Sequence, residues 1–250
     1  MSSRQGYGQF CPVAKASEIL ATRWTPLILR ELISGSSGFN EIHRGVPLIS
    51  RALLSRRLRE LTEAGVIGRD RRGGYQLTGC GQELGPIIIA MGCWGQRWVE
   101  SAAEGPDWDA GVLMWDVRRR IDTTILPPGR TVLQFDFYGA PTELARWWLL
   151  IEDGTVDLCQ SDPGFEVDLY IASTVPVIGR VWIGQRSLGE AIGREEIRVH
   201  GRVDLARTLP KWFMLSVLAE KAVRRPAGAT PHPGAVARRV PPGDKPRTQA

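Results

Sequence analysis

Arginines and small hydroxyl residues gather between positions 44 and 72: Arg44, Ser50, Arg51, Ser55, Arg56, Arg59, Arg71 and Arg72. A guanidinium keeps its charge at physiological pH and presents a rigid fork of donors. It therefore suits phosphate oxygens and the acceptor edge of guanine. A serine beside it leaves room for close approach. A charge run alone is more often a solvated face than a site. What decides is whether the fold lines these residues up along one surface.

Other chemistry finds little support. Cys11, Cys80, Cys93 and Cys159 have no CxxC spacing, and His43, His200 and His232 lie far apart. This excludes a zinc framework and a disulfide scaffold. Cys11 reads as a packed apolar residue, because a reactive thiol needs a lowered pKa and access. Gly79-Cys80-Gly81 opens a helix after a strand-like piece, but Leu84 stands at the third glycine position of a dinucleotide loop. No G-x-S-x-G, H-E-x-x-H or P-loop occurs, and the adjacent Glu152 and Asp153 fall in a turn, where carboxylates are solvated rather than tuned. The chain reads as a non-enzyme, with no catalytic residue, metal or cofactor expected.

The elements that must position the arginines follow from periodicity and punctuation. Helices are predicted over Pro12 to about Thr22 and over Thr25–Ile33, with Thr25 as cap and Pro26 in the first turn. A short helix from Asn40 to about Arg44 ends at Gly45 and Pro47. Ser50 then caps a helix from Arg51 to about Ala64, which Gly65 terminates. At 100° per residue, Leu54, Leu58 and Leu61 share one stripe, and Ala52, Ser55, Arg56 and Arg59 lie roughly opposite. Arg57 sits nearer the stripe and pairs within the protein. Val66–Leu77 reads as a hairpin with Arg71 and Arg72 at its tip. A helix from about Gln82 to Glu100 carries more apolar surface than one small core needs, which a partner subunit would cover. Helix, helix, short helix, basic helix, basic hairpin, long helix is the order of a winged helix-turn-helix. The major groove admits one helix, and an arginine-tipped hairpin reaches the neighbouring backbone.

The same stretch resembles the HxlR-type winged-helix regulators of bacteria. The carrying residues are Cys11-Pro12-Val13, Arg23-Trp24-Thr25-Pro26-Leu27-Ile28-Leu29-Arg30-Glu31-Leu32, Phe39-Asn40-Glu41-Ile42, Ile49 to Leu58, Leu61 to Ile67 and Tyr75-Gln76-Leu77-Thr78. The resemblance implies double-stranded DNA as partner and a homodimer. For some members it also implies a redox role for the cysteine at position 11. Ser55, Arg56 and Arg59 are the expected base readers, Arg51, Arg71 and Arg72 the expected backbone contacts, and Arg44 a further phosphate contact.

Beyond a turn-rich junction the pattern changes. A helix is predicted over Asp109–Ile121, strands over Thr131–Phe137, Arg146–Ile151, Thr155–Gln160 and Glu166–Ile171, helical pieces over 177–183 and 188–192, a strand over Ile197–Gly201 and a helix from Asp204 to Lys221. Val167 to Ala172, Val181-Trp182-Ile183-Gly184 and Ile197 to Gly201 are similar to the sterol-carrier-protein type of lipid-binding domain. That resemblance implies an apolar cavity and a hydrophobic small-molecule effector, with Trp147, Trp182 and Phe213 as lining candidates, although aromatic residues at such spacing are more often core.

The fold class expected is therefore α+β: a winged helix-turn-helix domain over 10–102, a sterol-carrier-like domain over 109–222, and a disordered Pro/Arg-rich tail over 224–250. Charge agrees with this division. Residues 1–100 hold 13 basic against 8 acidic residues, whereas 101–225 hold 15 against 18, so only the first third suits a polyanion. No run is long enough to span a membrane and the N-terminus lacks a signal-peptide core, so a cytoplasmic protein is expected. The alternative from the same residues is a hydrophobic-ligand carrier in which the helical domain serves mainly for dimerisation.

Overall fold

The computed structural model describes residues 6–100, 108–221 and 232–233. The N-terminal part runs α1 (Pro12–Leu20), α2 (Thr25–Ile33), α3 (Phe39–Gly45), α4 (Arg51–Glu63), β1 (Ile67–Arg69), β2 (Tyr75–Leu77) and α5 (Gly79–Trp98). Its core joins Ile28 and Leu29 of α2, Ile42 of α3, the Leu54–Leu58–Leu61 stripe of α4, Ile67 and Ile88. This is a winged helix-turn-helix domain: α3 and α4 are the helix pair and β1–β2 is an antiparallel wing in the register Ile67↔Leu77.

Local chemistry sets its boundaries. The Ser50 side chain accepts from Leu53 N at 3.3 Å and starts α4. Gly65 stops it at φ +70, a left-handed value that glycine adopts without strain. Glu41 accepts from the backbone of Ser37 and Gly38 and so fixes the start of α3; these bonds hold its carboxyl below the usual range. Thr25 does not cap α2. The cap position is Trp24, in the left-handed region, and Thr25 is buried as the first helical residue. Thr78 caps α5 through Gly81 N, so that helix begins at Gly79, ahead of the expected Gln82.

The C-terminal part is a mixed α+β unit. It contains α6 (Ala110–Arg118), β4 (Thr131–Phe137), a 3-10 turn (Thr142–Leu144), β5 (Arg146–Glu152), β6 (Thr155–Cys159), β7 (Leu169–Ser173), α7 (Val175–Trp182), α8 (Leu188–Gly193), β8 (Arg198–Gly201), α9 (Val203–Trp212) and α10 (Val217–Lys221). The sheet order is β6-β5-β4-β7-β8, with β4 and β7 parallel and the other neighbours antiparallel. One face, with Leu133, Phe135, Phe137 and Leu149, packs on residues of α6, α7 and α9. Two short strands, β3 (Val99–Glu100) and β9 (His232–Pro233), pair in parallel.

Two expectations change here. The strand expected from Glu166 begins at Leu169, because Asp168 turns its carboxylate to Val132 N at 2.8 Å and to Arg202 at 3.2 Å. The helix expected from Asp204 to Lys221 breaks after Trp212: Phe213 forms an antiparallel bridge to Ile121, and Met214 N donates to Arg120 O. The expected tail over 224–250 lies outside the described residues, apart from His232 and Pro233. Among the described residues no helix is long and apolar enough to cross a membrane.

Candidate nucleic-acid interface

The Leu54–Leu58–Leu61 stripe faces the core, so the opposite side of α4 faces solvent. Ser55, Arg56 and Arg59 are all exposed there. Arg71 and Arg72 are exposed at the wing tip. That tip is rigid: Asp70 Oδ1 accepts from Arg72 N at 2.8 Å and Gly74 N at 2.7 Å, and Gly73 takes φ +80. Arg69 braces the hairpin by donating to Gly73 O and to the Tyr75 hydroxyl. The turn between α3 and α4 is held by a hydrogen bond between the His43 ring and Ile49 O, 3.0 Å apart.

Not every expected contact is equally available. Arg51 donates to Asn40 Oδ1 at 2.6 Å and lies over the Phe39 ring, so it ties α4 to α3. The Ser50 hydroxyl is used as a cap. Arg44 is exposed, but its guanidinium lies 5.4 Å from the centroid of Trp115 on α6. Arg57 donates to Arg23 O and pairs with Glu60 at 2.6 Å, within the protein as expected. Sequence reading missed Leu48, 83% exposed in the turn ahead of α4. An apolar residue in a Val-Pro-Leu-Ile run reads as core, and nothing local shows that it points outward; so placed, it is suited to a thymine methyl.

Among the described residues no group of His, Cys, Asp and Glu could hold a metal. Cys11 is half-buried at the start of α1, and exposed Cys80 lies 3.2 Å from Gly65 O. Trp147, Trp182 and Phe213 are 7%, 7% and 4% exposed. All three are buried in one contiguous core, Trp182 packs edge-on against Phe213, and the Trp147 indole donates to Leu144 O at 2.8 Å. A cavity of about 550 Å³ opens elsewhere, in the N-terminal domain, lined by Tyr7, Glu18, Thr22, Thr25, Arg57 and Glu60 among others.

The HxlR-like helix-turn-helix family model matches residues 19–103, which take in the last two residues of α1 and all of α2 to α5. The HTH-type transcriptional regulator YvaP of Bacillus subtilis is 38% identical over 99 residues, which span 37% of this chain and 92% of that protein. The chain belongs to the HxlR-like helix-turn-helix family. The HTH-type regulator sll1512 of Synechocystis is 35% identical over 99 residues, spanning 37% of this chain and 73% of that one. Among solved structures, quinone-bound YodB of B. subtilis is 33% identical, with 34% of this chain and 97% of that chain covered and a TM-score of 0.32. In this HxlR-like chain the recognition helix is α4 and the wing is β1–β2.

Proposed function

We infer that this protein is a DNA-binding transcriptional regulator that works as a homodimer, with the C-terminal unit as its regulatory part. The observation that carries the reading is the exposed Ser55–Arg56–Arg59 face of α4, beside a braced, arginine-tipped wing, on an HxlR-like fold. In a dimer two such helices would enter successive major grooves about 34 Å apart. Ser55, Arg56 and Arg59 read base edges, and Arg71 and Arg72 contact the backbone. Arg44 and Arg51 contribute less directly, since both are engaged by neighbouring side chains.

Ile87, Met91 and Trp94 support the homodimer. They recur at helical spacing on α5 and are each about half exposed or more, a stripe that a second copy would cover. The C-terminal unit we read as sterol-carrier-like and responsive to an apolar small molecule. Its five-stranded sheet and apolar helical cover support this. With Trp147, Trp182 and Phe213 packed together, a ligand has to displace side chains to enter, so its binding changes the packing of the unit.

Gel shifts with a duplex selected by the wild-type protein from a randomised library test the DNA reading. Arg56→Ala and Arg59→Ala should both weaken binding, and unchanged binding in both refutes the assignment. Thermal shifts across a panel of fatty acids, sterols and aromatic hydrocarbons test the second half; a flat response refutes it.

A further inference from the structure

We propose that Glu31, Trp115 and Arg119 form a positioning joint through which the C-terminal unit holds the α3–α4 pair in its DNA-binding arrangement. The proposal rests on the DNA-binding reading above.

Glu31 lies on α2, inside the DNA-binding domain, and has no exposed surface. Its carboxylate is held from both halves of the chain. From its own side come Arg30, at 2.7 Å, and the Ser36 hydroxyl, at 3.2 Å. From the C-terminal side come the Trp115 indole N–H, at 3.2 Å, and the Arg119 guanidinium, 84 and 88 residues further along the chain. Arg119 also donates to Ser36 Oγ at 3.0 Å. The Trp115 ring is itself flanked by the guanidiniums of Arg118, Arg119 and Arg44.

The contacts continue toward α4. The Arg30 group that binds Glu31 also donates to Gly45 O at 2.9 Å, at the end of α3. The Gly45 Cα lies so close to the carboxylate that no side chain fits between them. One turn on, the His43–Ile49 bond and the Ser50 cap set the start of α4. Glu31 thus fixes where α3 ends, and the end of α3 fixes where α4 begins. Removing Trp115 and Arg119 takes away two of its four donors and leaves a charge inside the protein with incomplete pairing. A buried, multiply hydrogen-bonded ion pair adds little net stability over an apolar contact, and its best-attested use is to enforce one registry. Here the registry is that of two units, and the element kept in register carries the recognition helix.

Neither Trp115 nor Arg119 lies on the exposed face of α4 or on the wing, which makes the test selective. The full-length protein is titrated with the duplex that its wild type selects from a randomised library, at several salt concentrations. Trp115→Phe keeps the bulk and removes the N–H; Arg119→Met removes the charge. Both are expected to raise Kd about tenfold, within the range of about 5–150-fold typical of coupling between sites. The slope of log K against log salt should stay at the wild-type value, because no phosphate contact is lost. Leu209→Ala, buried in the C-terminal core on α9, serves as the control for lost stability and should stay within about threefold of wild type, well inside one tenfold step of affinity. Should either joint variant fail to fold, Glu31→Gln, which keeps the size and still accepts from Trp115, takes its place with the same expected loss. The joint is overturned if its variants bind like wild type, if they lose no more than Leu209→Ala at matched Tm, or if their salt slope falls. A wild-type protein that selects no duplex refutes the DNA-binding reading itself and the joint with it.

Discussion

Gly45→Ala adds a single methyl at the most crowded point of the molecule. The Gly45 backbone is not left-handed, so the demand is for space and not for torsional freedom. A Cβ there would stand 2.0 Å from the Glu31 carboxyl carbon and 2.1 and 2.3 Å from its oxygens. That carboxylate is not a loose side-chain end, because Arg30, Ser36, Trp115 and Arg119 all donate to it. One of two things must give. If α3 moves, overpacking costs about 1–3 kcal/mol. If Glu31 moves, its guanidinium partners lose their buried counter-charge, and breaking such a pair costs about 3–5 kcal/mol. Alanine returns at most about 1 kcal/mol over glycine in a helix. The cheaper route sets the outcome: from the middle of its range, about 2 kcal/mol, alanine returns up to about 1 kcal/mol, so the net loss is about 1–2 kcal/mol, and at roughly 2–4 °C per kcal/mol for a protein of this size Tm falls by about 2–8 °C. The assay is a thermal unfolding scan of the full-length protein, with wild type and variant at equal concentration so that any self-association does not confound the comparison. A variant as stable as wild type, or more so, refutes the crowding argument. A double-mutant cycle locates the cause: in a Glu31→Ala background the methyl has room, and Gly45→Ala should then cost almost nothing.

Three further expectations follow from the geometry. Arg56→Ala and Arg59→Ala should each cost about 1–3 kcal/mol in DNA binding if they read bases, with relaxed sequence preference in a repeat selection, or lower the salt slope by about 1 if they only touch phosphate; Arg57→Ala, already paired with Glu60, should cost less than either. Trp94→Glu places a charge in the exposed stripe of α5 and should shift the protein to monomer in sedimentation equilibrium, and an unchanged dimer would place the interface elsewhere. Acid stability should depend on Glu31: burial pushes its carboxyl up, but the Arg119 hydrogen bond and the charges of Arg30 and Arg119 outweigh that and hold it below the ordinary 4.5. Because the folded value is the lower one, its contribution is present above about pH 4.5 and is lost as pH falls through the folded value, so the acid limb of a Glu31→Gln stability profile should be flatter than that of wild type.

What was legible in the sequence was whatever depends on near neighbours. The Ser50 cap, the leucine stripe of α4, the Gly65 stop and the strand Thr131–Phe137 fall where periodicity and capping put them, because each is decided within one or two turns of chain. The exposed face of α4 followed from the same stripe. What was not legible depends on partners far along the chain. Arg44 and Arg51 are both basic residues beside a recognition helix, and only the fold shows one lying over Trp115 and the other bound to Asn40. Phe213 continues a helical pattern in sequence, yet its pairing with Ile121 ends the helix. Glu31 sits in a Leu-Arg-Glu-Leu run that reads as an ordinary helix surface, and nothing nearby reveals donors more than eighty residues away.

Those distant partners put α6 in a particular position. Leu113, Met114 and Val117 lie in the core of the C-terminal unit, while Trp115 and Arg119 turn to Glu31 in the other domain. One short stretch therefore belongs to both interiors. The C-terminal unit also reaches α5 at a second point: Gln96 donates to Ile183 O just past α7, and Leu218 of α10 lies against Gly92 so closely that a Cβ there would meet it at 2.8 Å. Gly92 and Gln96 lie on the same helix as the exposed Ile87, Met91 and Trp94. The unit thus touches both the helix pair that presents α4 and the helix that carries the exposed apolar stripe. Cores repack in discrete steps because they are close-packed. On the proposed reading of a homodimer with an apolar effector, a ligand that displaced Trp182, whose carbonyl accepts from Ser216 N ahead of α10, or Phe213, which bridges Ile121 just past α6, would disturb the segments that join the C-terminal unit to the DNA-binding domain. The energy of that coupling is bounded by the difference in ligand affinity between the two packings, so an apolar compound that binds equally in the presence and absence of the selected duplex would leave DNA binding unchanged however tightly it bound.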